Sequence, residues 1–251
     1  MRAEVVLTPS ESKRLIGKAV ASMDVVKKAL KSGLIIIGRG TTNSFVAEEI
    51  LGKSIVKSKY ARGIIYPGQI TLVPAEEALP EVIIENGKLS DKKLDEAVKA
   101  LKSGDVVIKG ANALDVNGVT GVFIARSPQT TGGTVGLVYG PAMCRGGISF
   151  IIPVGLEKLI PVPIKDVVAE VSQDIAMSTG FVVGMLPTIG TVVTEIEAFK
   201  ILADVEAINI GAGGVGGAEG ARIFLLKGDE NNVKKAFEIV KSIQGEPALA
   251  K

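Results

Sequence analysis

The sequence predicts an α/β protein: a Rossmann-like, mostly parallel sheet with flanking helices, followed by a ferredoxin-like α+β unit. Three observations predict this. Amphipathic helical stretches alternate with short apolar runs such as Leu-Ile-Ile-Ile at 34–37, with glycine at the junctions. The helix–glycine–strand order of 10–37 recurs over 91–109. The rhythm then changes near 155–180, where Pro161 and Pro163 follow Pro153, and 180–243 reads strand–helix–strand–strand–helix. Two units are therefore expected, 1–178 and 179–251.

Thr8-Pro9-Ser10-Glu11 has the form of a capping box with Pro in the first turn. Leu15, Ile16, Ala19, Val20, Met23, Val26 and Leu30 follow at helical spacing, so one helix is expected up to Gly33, read as a left-handed cap. Strand 34–37, a glycine turn at 38–42 and a helix at 43–51 come next, closed by Gly52. Over 53–89, strands are expected at 63–66, 70–73 and 81–84, with turns at Pro67-Gly68 and at Glu85-Asn86-Gly87-Lys88, the latter a strong hairpin signal. Ser90 begins a helix at 91–103, and strand 105–109 follows. Residues 110–147 are glycine-rich and irregular, with a helix near 134–144. Strand 148–154 and helix 165–177 complete the first unit. The second has strands at 180–186, 207–210 and 221–227, a helix at 191–203, a glycine loop at 211–220 and an Asp229-capped helix at 230–243.

Composition excludes several classes of chemistry. The chain has no histidine and one cysteine, Cys144, so histidine triads, histidine metal sites, cysteine clusters and an internal disulfide are all absent. Acid–base work falls to Asp, Glu, Lys, Tyr or Cys144. With 29 basic and 27 acidic residues the net charge is +2, which gives no charge case for nucleic acid, and the few aromatics, with no Trp, weaken a stacking one. The opening residues lack the apolar core of a signal peptide, and no apolar run reaches the length of a membrane span. A cytoplasmic location, no membrane, no metal and no cofactor are expected.

Candidate sites lie in the loops. Gly38-Arg39-Gly40-Thr41-Thr42-Asn43 joins a strand to a helix. Unpaired N–H groups at such a helix start favour an anion, and the same residues also suit an ordinary capped turn. Gly110-Ala111-Asn112, followed by Asp115, leaves another strand end and either flanks the same crevice or forms an Asx-stabilised turn. Thr130-Thr131-Gly132-Gly133 is a third anion contact or a connection. Lys158 either faces the crevice or is solvated. Gly211-Ala212-Gly213-Gly214-Val215-Gly216 has dinucleotide-loop spacing but leads into a strand, so the helix that such a motif needs is missing.

The order helix, GLIIIGRGTT, helix, VVIKGANALDVNG and ISFIIPVG, over roughly 10–165, resembles the group of ribose-5-phosphate isomerases, glucosamine-phosphate isomerases and CoA-transferases. The resemblance implies phosphate binding by Gly38, Gly40, Thr41 and Thr42, and acid–base work in the second loop. Asn112 stands where the group often has Asp, and Lys109 replaces an acidic position, leaving Asp115 as the candidate base. Glu85-Asn86-Gly87 is similar to the Glu-Asn-Gly of CoA-transferases and implies Glu85 as a nucleophile. The tail, GMLPTIGTVVTEIEAFKILADVEAINIG with ARIFLLKGDENNVKKAFEIV, resembles bacterial microcompartment shell domains, which implies a homo-oligomer. The function expected is binding of a small phosphorylated or carboxylated metabolite (a sugar phosphate, nucleotide or CoA ester), with isomerase or transferase activity as an extension. Non-catalytic assembly and Glu85-dependent CoA transfer are the alternatives.

Overall fold

The computed structural model describes residues 1–127 and 129–249. Pro128, just before the third candidate loop, and residues 250–251 lie outside it. The chain opens with β1 (Arg2–Leu7), whose Val5 and Leu7 point inward. The capping box forms as the sequence predicts: the Glu11 N–H donates to Thr8 Oγ1 at 3.3 Å and the Thr8 N–H to Glu11 Oε2 at 2.8 Å, starting α1 (Pro9–Ser22). Next come α2 (Asp24–Ser32), β2 (Leu34–Ile37) and α3 (Thr41–Leu51). A 3-10 turn at Lys57–Tyr60 leads to the hairpin β3 (Gly63–Tyr66) and β4 (Gln69–Leu72), then to the hairpin β5 (Val82–Glu85) and β6 (Lys88–Leu89). Asn86 and Gly87 both have positive φ, as the tight Asn-Gly turn requires. Then follow α4 (Leu94–Ala100), β7 (Val106–Ile108), β8 (Ala113–Leu114), β9 (Thr120–Ala125), α5 (Gly133–Cys144), β10 (Ser149–Pro153) and α6 (Ile164–Val171). The last elements are β11 (Val183–Thr188), β12 (Thr191–Val193), α7 (Glu195–Ala203), β13 (Glu206–Gly213), β14 (Ala221–Lys227) and α8 (Glu230–Ile243).

The main sheet has the order β12-β10-β7-β2-β5-β6. Its first four strands run parallel, and β5 and β6 add antiparallel at one side. Its centre is apolar on both faces: Ile35, Ile36, Val106, Val107, Ile151 and Ile152 are fully buried, which fits a parallel sheet covered on both sides. Two further sheets, β1-β14-β13 and β11-β9-β8, are antiparallel, as is the β3–β4 hairpin.

Several expectations change. The long first helix is two, because Met23 takes an extended conformation (φ −62°, ψ 138°) and Asp24 opens a new first turn. Gly33 is extended and not left-handed. Strand β9 lies within 110–147, where irregular structure is expected, and β1 is unanticipated. The strand expected at 180–186 forms as β11, but it pairs with β9 rather than with the tail strands. Strand β12 occupies the start of the expected 191–203 helix and extends the main sheet beside β10. The third strand of the tail sheet is β1. Sheets therefore cross the expected 178/179 boundary in three places, and residues from both sides share one apolar core.

Candidate functional site

Strands β2, β7 and β10 are parallel, so their carboxyl ends emerge together. The loops after them, at 38–43, 109–112 and 154–158, converge on one cavity of about 260 Å³. That volume is just below the range usual for small-molecule sites, and the position is where open parallel sheets bind ligands. The β3–β4 hairpin roofs the cavity, and the sheet containing β9 and β11 forms a side wall.

The first candidate loop is held from below. Asn43 is fully buried, and its Nδ2 donates to the carbonyls of Gly38 at 2.6 Å and Ile108 at 3.3 Å, tying the ends of β2 and β7 together. The Tyr60 hydroxyl donates to the Ile37 carbonyl at 2.6 Å and accepts from the Val82 N–H at 3.0 Å, and the Gly40 N–H reaches the Tyr60 carbonyl at 2.9 Å. Gly38 lets Lys109 lie against the loop, since a Cβ there would meet Lys109 Cδ at 2.7 Å and displace that side chain. Helix α3 then starts with Gly40 as an N-cap that makes no side-chain cap bond. Its first N–H groups lack intrahelical acceptors. Thr42 is 1% exposed, and its Oγ1 has no hydrogen-bond partner. Helix α5 also begins at the cavity, from Gly132 and Gly133, both with positive φ and again without a side-chain cap.

Four cationic side chains line the cavity: Arg39, Arg62, Lys109 and Lys158. Among the described residues, no Asp or Glu does. Arg39 is paired with Glu81 at 2.8 Å, and Glu81 also accepts from Thr134 Oγ1 at 2.5 Å. Arg62 Nη1 is buried without a partner. Lys109 Nζ donates to the Gly110 carbonyl at 3.2 Å, and Lys158 Nζ to the Ala111 carbonyl at 2.9 Å. Burial pulls Lys109 down to about 8, and the nearby positive charge of Lys158 adds to the effect. Burial brings Lys158 to about 8 as well, against the opposing pull of Glu157.

Of the residues singled out from sequence, Arg39, Gly40, Thr41, Thr42, Asn43, Gly110, Ala111, Asn112, Thr130, Gly132 and Gly133 line this cavity. Gly38 supports it from behind. Asn112 is oriented by the Phe123 N–H, which donates to its Oδ1 at 2.9 Å. Thr131 is exposed and does not line it; its carbonyl instead packs where a side chain on Gly136 would sit.

The two carboxylates assigned catalytic roles are elsewhere. Asp115 is 3% exposed and forms the Asx turn: its Oδ1 accepts from the N–H groups of Asn117 and Val119, each at 2.9 Å, and its Oδ2 from Ile164 at 2.9 Å. Burial alone would raise this carboxyl, but the backbone hydrogen bonds hold it below the usual carboxylate range. It is an occupied structural acceptor and not an available base. Glu85 is aligned with Leu34, at the opposite end of β2 from the glycine loop, roughly 10 Å along the strand. Its carboxylate is paired with Lys92 at 2.7 Å. Sequence reasoning missed Arg62, because its hairpin lies outside the main sheet, and gave Lys109, at the head of the second loop, no binding role of its own.

No protein-family model matches this sequence, and no curated protein matches it.

Proposed function

We propose that this protein binds a small phosphorylated metabolite in the cavity at the carboxyl ends of β2, β7 and β10. The observation that carries this reading is a cavity lined by four cations and, among the described residues, by no carboxylate. Thr42 and Arg62, both in its lining, each keep one buried polar atom, Oγ1 and Nη1, without a partner. Buried polar groups are normally satisfied, so two orphans at one site favour a ligand that completes them. The N-termini of α3 and α5 add fixed partial positive charge. A phosphate suits this site better than a single carboxylate, since Arg62, Lys109 and Lys158 remain after Arg39 is neutralised by Glu81.

The resemblance to the sugar-phosphate isomerase and CoA-transferase group gives the same location for the phosphate. If a proton is moved here, Lys109 or Lys158 moves it, because each has a pKa of about 8 and lines the cavity. The test is a thermal-shift panel of inorganic phosphate and organic phosphates on the parent protein and on Thr41→Ala/Thr42→Ala. A ligand at ~100 times its dissociation constant adds roughly 2.7 kcal/mol. A shift lost in the double variant supports the reading; no shift with any phosphate sinks it.

One further observation favours self-association. The outer face of β1-β14-β13 exposes Val6, Ile208, Ile210 and Ile223 side by side. Light scattering of the parent against Ile208→Lys/Ile223→Lys checks this: an oligomer that becomes a monomer supports it, and a monomeric parent removes it.

A further inference from the structure

The floor and the walls of the cavity are chemically different, and the difference narrows the ligand. Lys109, Lys158 and the helix starts come from the strand-end loops, and Arg62 enters beside the hairpin. The hairpin contributes Ile64, Ile70 and Leu72, with the Thr71 hydroxyl opposite Ile64, and the side wall contributes Phe123, Ile124 and Phe181. The wall backbone offers little more. Strands β3 and β4 are paired along their whole length, and β9 is paired with β11 over 120–125, while its other edge meets β8 at Thr120 and Gly121 and Asn112 Oδ1 at the Phe123 N–H. The outer edge of β4 is engaged at Ile70: its N–H donates to the Thr179 carbonyl at 3.0 Å and its carbonyl accepts from the Phe181 N–H at 3.0 Å. A sugar hydroxyl laid against these walls would lose its water and find few partners. A hydrocarbon group there would be stabilised by burial.

We infer that the ligand, resting on the phosphate reading above, is an organic phosphate with a compact apolar tail. The phosphate lies against the start of α3 with Arg62, Lys109 and Lys158, and the tail lies between the β3–β4 hairpin and the β9–β11 wall. The site is amphipathic in the sense of a headgroup pocket joined to a hydrocarbon slot. Sugar phosphates, whose hydroxyls need several donors and acceptors, are poor occupants of that slot.

Calorimetry at neutral pH with inorganic, methyl, butyl and hexyl phosphate, and with ribose 5-phosphate, tests the inference on the full chain. Affinity is expected to rise about fourfold per buried methylene until the slot is filled, and ribose 5-phosphate is expected to bind no more tightly than methyl phosphate. Phe181→Ser is expected to weaken hexyl phosphate on the order of tenfold more than it weakens inorganic phosphate. Ile64→Asn, on the facing hairpin, provides a second variant with the same expected differential. Inorganic phosphate that binds with a flat alkyl series, or ribose 5-phosphate as the tightest ligand, overturns the apolar tail and leaves the phosphate site standing. Binding by none of the phosphates overturns both.

Discussion

Lys109 and Lys158 reach one cavity from the ends of neighbouring parallel strands, β7 and β10, and anchor on successive carbonyls, those of Gly110 at 3.2 Å and Ala111 at 2.9 Å. Burial, and for Lys109 the positive charge of Lys158 as well, raises the cost of protonation here, and no carboxylate lines the cavity beside them among the described residues. An anion between them reverses that cost.

Phosphate affinity is therefore expected to fall as pH rises through about 8, where burial places both lysines. The unliganded protein has the opposite dependence. Each lysine is depressed from 10.5 in the unfolded chain to about 8 in the fold. Between those values the unfolded chain holds more protons, so this contribution to stability rises with pH across the interval and is lost as pH falls through it. Calorimetric titrations with phosphate and melting curves from pH 6.5 to 10 read the two trends separately. Lys109→Met should raise the unliganded melting temperature at pH 7 while weakening phosphate binding by about tenfold or more.

Thr42→Val removes a buried hydroxyl that has no partner while keeping the shape of the side chain. Unliganded stability should hold or rise slightly. If the hydroxyl serves the ligand, phosphate affinity should fall by about 1 kcal/mol, near fivefold. Equal affinity in the variant would remove Thr42 from the site.

Asn43 is the clamp between β2 and β7, and Asn43→Asp turns a donor to two carbonyls into a carboxylate facing them. A loss of stability larger than the roughly 1–3 kcal/mol of a merely unpaired buried group is expected, together with loss of phosphate binding. Asn43→Ala should cost less than the Asp variant in urea melts, because it adds no charge.

Glu195 is fully buried at the start of α7, with its Oε2 accepting from the Leu156 N–H at 2.9 Å. Burial raises this carboxyl despite hydrogen bonds from the backbone and the Ser12 side chain, and the neighbouring Glu157 adds to the rise. A raised group contributes stability below its unfolded pKa, and the contribution is lost as pH climbs through the folded value. Glu195→Gln keeps an oxygen for Leu156 and removes the charge. Its melting temperature should exceed the parent's at neutral pH by a few degrees, and the difference should shrink toward pH 4.

What was legible in the sequence was mostly local. The Thr8–Glu11 box, the Asn86-Gly87 turn and the Asp229 cap carry their own chemistry, and each forms where its residues say. The parallel strand ends place 38–43 and 110–112 at one cavity, because strand order alone brings such loops together. What was not legible depends on partners remote in sequence. Strand β1 shows only Val5 and Leu7 fully inward, too short an alternation to stand out, and its partner is near the other end of the chain. Asp115 reads as a free carboxylate until Ile164 donates to it from another element. Arg62 reads as a hairpin charge until the hairpin folds over the floor.

The pairing of β1 with β14 also bears on how the fold is reached. Arg2 aligns with Lys227 and Leu7 with Arg222, so β14 gains its second neighbour only by closing a loop that contains the whole main sheet. Such a high-contact-order closure is entropically late and slows folding relative to locally connected proteins. Refolding should therefore show the parallel core and its cavity gaining protection from hydrogen exchange before residues 2–7, with the terminal sheet acting as the final latch.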